Sequence, residues 1–147
     1  PDRGLVRRGR TPLVIVDSSA VVAILRDEPE AESFATAIVA DPEPRMSVVS
    51  WVESAVVLDS ARDPVVSRRF DEFIRAAGIV VTDTTLHQAQ LAREAYRDFG
   101  RGSGHPAGLN FGDCFSYALA VSRDDTLLFK GNDFVHTDVR PATPPAN

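Results

Sequence analysis

An α/β fold built on a largely parallel sheet is what this sequence predicts, on two observations. Short apolar, β-branched runs alternate with segments of helical periodicity, and the first such run is continuous rather than alternating, as a strand covered on both faces requires. The chain has 147 residues, 44% hydrophobic and 25% charged, the balance of one globular domain able to bury a core.

Leu13-Val14-Ile15-Val16 is the first strand. It runs into Asp17-Ser18-Ser19, which can cap a helix over Ala20–Leu25. Glu28-Pro29-Glu30 opens a second helix with proline near its first turn, and Phe34, Ala35, Ile38 and Val39 form its apolar face. Asp41-Pro42-Glu43-Pro44 is a turn, and Met46–Val49 is the second strand. Ser50 and Glu53 have the spacing of a capping box for a helix through Trp51 to Ala61. Asp63-Pro64 restarts a helix to Ala77, with Val66, Phe70, Phe73 and Ile74 inward and Gly78 ending it. Ile79-Val80-Val81 is the third strand, and Thr84 or Thr85 opens a long helix to Phe99. Residues 100–108 hold four glycines and one proline and read as a loop. Asn110 caps a helix from Phe111 to about Ser122, Asp124-Asp125 turns the chain, and Thr126–Phe129 is the fourth strand.

A single cysteine, Cys114, excludes a disulfide framework and a Cys-rich zinc site. It suits a reducing cytoplasm. No apolar run approaches the roughly 20 residues that span a bilayer. Residues 1–11 carry four arginines with no apolar stretch of a signal peptide behind them, so a flexible extension or a cloning remnant is expected there. A folded domain is expected over 12–140 and a frayed Pro- and Ala-rich tail over 141–147. Net charge is −5, and setting aside the first eleven residues, with four arginines and one aspartate, leaves about −8. A general nucleic-acid coating protein would be basic. Any contact with nucleic acid must therefore come from a local patch or a partner.

Most of the 21 acids sit where solvated helix faces carry them. Four differ. Asp17 and Asp133 follow strands, and Glu53 and Asp113 lie near the starts of helices. Open α/β sheets form ligand sites at the carboxyl ends of their strands. Each acid has an ordinary structural explanation as well: a cap, a capping-box partner, a dipole partner or a turn residue. Together at one edge they would repel unless a cation sat among them or some were protonated. Oxygen donors without a neighbouring histidine favour Mg²⁺ or Mn²⁺ over zinc.

The stretches Val14–Ala20, Ser50–Glu53, Gly108–Cys114 and Leu128–Phe134 resemble the PIN-domain nucleases, in particular the VapC-type toxins of bacterial toxin–antitoxin pairs. The resemblance covers about Leu13 to Arg140. It implies a three-layer PIN-like fold with four to five mostly parallel strands, a homodimer, a VapB-type antitoxin partner and Mg²⁺- or Mn²⁺-dependent endoribonuclease activity in the cytoplasm. It assigns Asp17, Glu53, Asp113 and Asp133 as the catalytic and metal-binding quartet, with Asp138 a rival for the fourth place. Ser19 fits the small polar residue that orients a metal-bound water, and Asn132 the polar residue beside the fourth acid. A single-stranded or looped RNA, from tRNA or rRNA, is the implied substrate. Arg97, Arg101 and Lys130 lie near the proposed loops, where they can meet phosphates.

Two other readings stay open on the residues. A haloacid-dehalogenase-type phosphatase wants Asp-x-Asp after the first strand, which Asp17-Ser18-Ser19 does not supply. A receiver-type phosphoacceptor is matched only in part, by Thr82-Asp83. A catalytically silent PIN-like interaction module is the second. Cys114 is expected to be buried and inert, Trp51 to pack, and Phe111, Phe115 and Leu119, four apart, to be core. The three histidines are too scattered for a metal motif.

Overall fold

The computed structural model describes residues 11–142. Four strands, β1 (Val14–Val16), β2 (Arg45–Ser47), β3 (Val80–Thr82) and β4 (Thr126–Leu128), form one sheet in the order β3-β2-β1-β4, with every pairing parallel. Six helices connect them: α1 (Ser18–Leu25), α2 (Ala31–Ala40), α3 (Val48–Asp59), α4 (Pro64–Ala76), α5 (Leu86–Phe99) and α6 (Phe111–Arg123). A 3₁₀ turn, Phe134–His136, follows β4. None of the helices is long and apolar enough to cross a membrane. The expected extension over 1–11 and tail over 141–147 fall almost wholly outside the described residues. Within the latter, Pro141 bridges Leu127 and the Ala142 N–H donates to the Leu127 carbonyl at 2.8 Å, so the chain runs along the free edge of β4.

The alternating strand pleat divides the core into two. Ile15 and Leu127 face one layer, with Ala92, Ala95, Leu109, Tyr117 and Leu119 from α5, α6 and the loop between them. Val16 and Leu128 face the other, with Val21, Phe34, Ile38, Leu58 and Phe70 from α1 to α4. Each such fully buried aliphatic side chain contributes about 1.5–3 kcal/mol over leaving it in water. This is the three-layer arrangement the sequence implied, with four strands.

The predicted start of α3 is wrong by three residues. Ser47, in extended backbone (φ −62°, ψ 142°), caps the helix by accepting the Val49 N–H at 3.1 Å. Val48 and Val49 resemble strand residues because they are β-branched, yet they form the first helical turn. No Ser50–Glu53 capping box exists. Ser50 is fully buried inside the helix and Glu53 lies in its second turn. On α2, Phe34 and Ile38 are buried as expected, but Val39 is 76% exposed, turned about 100° around the helix from Ile38.

Two carboxylates pin the start of β1. The Leu13 N–H donates to Asp125 Oδ1 and the Val14 N–H to Asp41 Oδ2, both at 2.8 Å. Asp125 is 3% exposed and also accepts from Arg123 Nε at 3.1 Å. Sequence reading took both acids for turn residues. Asp125→Ala would leave buried donors without their acceptor, so it is expected to destabilise the fold by about 1.5–3 kcal/mol in urea unfolding. Asp41, more exposed, should cost less when replaced by alanine.

Candidate carboxylate site at the sheet edge

β1 is the point where strand order reverses: the chain proceeds to β2 and β3 on one side and returns to β4 on the other. The crevice beyond the carboxyl ends at such a point is where open α/β sheets bind ligands. Asp17 stands there. Its backbone N–H extends the ladder to the Leu128 carbonyl at 3.0 Å, and its carboxylate caps α1. Oδ2 accepts from the Ser19 N–H at 3.0 Å and the Ser19 hydroxyl at 2.7 Å, and Oδ1 accepts from the Ser116 hydroxyl. The residue is 1% exposed.

Glu53 reaches the same edge from α3, where its Oε1 accepts from the Ser18 hydroxyl at 2.6 Å. A Cβ at Gly112 would run into this carboxylate, so glycine at that helical position lets α6 approach it. Asp113 sits in the first turn of α6. Its Oδ2 accepts the Asn110 N–H at 3.0 Å while Asn110 Oδ1 accepts the Asp113 N–H at 2.8 Å, a reciprocal capping box. Burial pushes the Asp113 carboxyl up to about 7, against the pull of the Asn110 N–H, and the charges of Asp17, Glu53 and Asp133 raise it further. Glu53 is also raised, by burial first and then by Asp17, with the Ser18 bond opposing. The field at Asp113 thus gathers all four predicted acids. Asp133 is exposed in the loop after β4, beside the equally exposed Asn132. Asp138 accepts from the Tyr117 hydroxyl at 2.6 Å, and of the two candidates for the fourth place it is Asp133 whose charge acts on Asp113.

The supporting residues divide. Ser19 donates its hydroxyl proton to Asp17 and accepts the Lys130 N–H at 3.0 Å, tying the β4 loop to α1. Lys130 bridges Glu28 at 2.8 Å and Glu30 at 3.4 Å rather than standing free. Arg97 is exposed and paired with its neighbour Asp98 at 3.0 Å, and Arg101 is exposed in the loop after α5. Cys114 is buried, its thiol pushed up to about 11 by burial, and Trp51 packs near Phe70 with ring centroids 6.3 Å apart. Phe111 overturns its expectation. It begins α6 on the outer side and is 71% exposed, touching Phe115 at a ring-centroid distance of 5.0 Å. Helical spacing from Phe115 was a misleading signal there, because Phe111, the first residue of α6, lines an open groove with Val52 and Val56 of α3 instead of entering the core. Sequence reading also missed Ser18, Ser50 and Ser116 as supports. Their signal was the spacing: Ser50 lies three residues before Glu53, and Ser116 three after Asp113.

The donor set suits a hard divalent cation. It is oxygen-only, partly buried, and among the described residues no salt bridge involves any of the four acids. It is not a closed cage: among the described residues no three acidic, histidine or cysteine side chains already converge on one point. Mg²⁺ needs no such cage, since it keeps several waters and takes few protein ligands. A carboxyl raised from 3.8 to about 7 on folding contributes stability that is full below its unfolded value of 3.8, declines as pH rises above it and is lost once pH passes about 7. In chelator-treated protein this carboxyl is therefore expected to make the melting temperature fall between about pH 4 and pH 7, and Asp113→Asn to flatten that fall.

The model of the PIN domain matches residues 14–140. Ribonuclease VapC28 of Mycobacterium tuberculosis is 59% identical over 129 residues, spanning 88% of this chain and 97% of that protein. Ribonuclease VapC42 of the same species is 46% identical over 129 residues, spanning 88% and 98%. Among solved structures, M. tuberculosis VapC20, described as a sarcin-ricin loop cleaving toxin, superposes with a TM-score of 0.64 at 16% identity, covering 87% of this chain and 99% of that one. A toxin–antitoxin complex from Klebsiella pneumoniae gives 0.61 at 15% identity, covering 82% and 89%. With the whole sheet, its edge and nearly every described residue inside the matched region, the chain belongs to the PIN-domain family.

Proposed function

We propose that this protein is a metal-dependent endoribonuclease, the toxin of a toxin–antitoxin pair, with Asp17, Glu53, Asp113 and Asp133 as its working carboxylates. The observation that carries this is the gathering of four acids at the strand-order reversal with no salt bridge to any of them among the described residues. The high identity to proteins named VapC ribonucleases supports RNA as the substrate. A bound Mg²⁺ or Mn²⁺ would supply positive charge against the phosphate and acidify a water.

The protein's own part is positioning and proton handling. Asp17, held through both oxygens, gives the site a fixed anionic floor. Glu53 and Asp113 are the two groups whose affinity for a proton burial raises, so one of them takes the proton from the attacking water. Each has one oxygen engaged, Oε1 by Ser18 and Oδ2 by Asn110, which leaves Oε2 or Oδ1 for that transfer. Asp133 and Asn132, exposed at the rim, can follow the substrate. Arg97, Arg101 and Lys130 contact phosphates in this reading; the ion pairs of Arg97 with Asp98 and of Lys130 with Glu28 are at least partly exposed and weak enough to exchange. The RNA is single-stranded or looped, from tRNA or rRNA, as such strands present a flexible backbone to a shallow edge. A VapB-type antitoxin, its natural partner in the cytoplasm, would silence the site by presenting a cationic side chain to the acids.

The test is cleavage of tRNA and rRNA by chelator-stripped protein, with and without added Mg²⁺ or Mn²⁺. Cleavage is expected only with the ion, and Asp17→Asn is expected to lower it by about 10²-fold or more with the fold retained. Metal-stabilised melting without any cleavage would favour the silent interaction module instead, and stable labelling of one aspartate by a small phosphodonor would favour the phosphoacceptor reading.

The same reading includes a homodimer. Val52, Val56 and Phe111, exposed by 48%, 64% and 71%, line one apolar groove of about 480 Å³ with Val48, Val49 and Val57. A face of that kind favours burial against a partner. Val56→Asp is expected to shift the protein from dimer to monomer in sedimentation velocity, while leaving its circular dichroism unchanged.

A further inference from the structure

A chain of buried serines runs behind the acid site. Ser50 on α3, Ser54 one turn later and Ser116 on α6 are all 0% exposed. The Ser116 hydroxyl donates to Asp17 Oδ1 at 2.5 Å. A serine hydroxyl has one proton, so in the 2.8 Å contact between Ser50 and Ser116 it is Ser50 that donates and Ser116 that accepts. The direction of the relay is therefore fixed: Ser50 to Ser116 to Asp17. All three are buried away from the protein surface. Aligned hydroxyls in such surroundings polarise one another, which strengthens the last bond onto the carboxylate.

The relay also decides which part of Asp17 faces the site. Oδ2 accepts two donors, both from Ser19, which fills its lone pairs. Oδ1 accepts one, from Ser116, and keeps one lone pair whose direction the Ser116 bond sets. The same two serines join the helices that carry the other acids. Ser50 stands one turn before Glu53, and Ser116 one turn after Asp113. α3, β1 and α6 are thus clamped at the level of the carboxylates, in the part of the molecule where like charges would otherwise push them apart.

We propose that Ser116, backed by Ser50, is a positioning residue that holds Asp17 Oδ1 in the orientation a divalent cation requires and so sets how tightly the site binds that ion. This rests on the metal-dependent reading of the quartet. Such supporting hydrogen bonds are worth about 10- to 100-fold in metal affinity elsewhere.

The experiment measures Mn²⁺ binding to RNA-free protein by electron paramagnetic resonance, with thermal melting on the same samples. Ser116→Ala is expected to raise the Mn²⁺ Kd by about 10-fold or more. Ser50→Ala, which acts only through Ser116, is expected to raise it less, and the double variant to match Ser116→Ala rather than add to it. Ser54→Ala removes an equally buried hydroxyl, one bonded at 2.8 Å to the Ser50 carbonyl and not to Asp17, and is expected to leave the Kd unchanged. If Ser116→Ala binds Mn²⁺ as the parent protein does, the relay is overturned while the metal site stands. If Ser54→Ala weakens binding equally, general loosening explains the effect and the proposal falls. If Ser116→Ala does not fold, Ser50→Ala decides: an unchanged Kd overturns the relay. A parent protein that binds no Mn²⁺ overturns both the relay and the metal reading.

Discussion

The organisation of this sheet edge follows from burying the carboxylate of Asp17 with no salt bridge to it among the described residues. Removing such a group from water is costly unless hydrogen bonds replace its hydration. The protein supplies three, from the Ser19 amide, the Ser19 hydroxyl and the Ser116 hydroxyl, and the N-terminus of α1 adds its dipole. Each of these supports constrains something larger. Ser19 holds the β4 loop through Lys130 N–H, Ser116 holds α6, and the Asp17 amide holds β1 against β4.

Around that fixed charge the other acids are arranged by different means. Asp113 is placed at a helix N-terminus, where the dipole and the Asn110 amide offset part of its burial. Glu53 lies in the second turn of α3 and has no such help. It depends on the Ser18 hydroxyl and on the missing side chain at Gly112. Asp133 avoids the cost of burial by staying exposed. The price of the arrangement is visible in the two raised carboxyls, lifted first by burial and then by the charges of neighbouring acids. Local rules are broken here and kept elsewhere, as expected where a site is built on a fold rather than for it.

The fold was legible because its signals are local. Val14–Val16 is continuous and β-branched, Asn110 and Asp113 have capping-box spacing, Gly78 ends a helix, and the strand–helix alternation leaves few topologies. Errors arose where local and tertiary preferences disagree. Val48 and Val49 have strand propensity, yet they turn into α3 because Ser47 caps it and Ser50 is needed in the interior against Ser116. Phe111 has core spacing but is exposed in a groove beside α3. Asp41 and Asp125 look like turn acids because their partners, the Val14 and Leu13 amides, are 27 and 112 residues away.

By itself the sequence determined the layered α/β class and the six helices and four strands in order, and it singled out Asp17, Glu53 and Asp113 with Asp133 and Asp138 as candidates for a fourth acid, since each follows from residue type and position along a few turns of chain. Only the tertiary structure decided that Asp133 rather than Asp138 belongs with the other three, that Lys130 is engaged by Glu28 and Glu30, and that Ser50 and Ser116 stand behind Asp17. Those are contacts between side chains brought together by the parallel crossovers. Hydrogen bonds of under 3 Å between residues 66 and 99 positions apart leave no periodic trace in the sequence, because their geometry is set by how the layers pack.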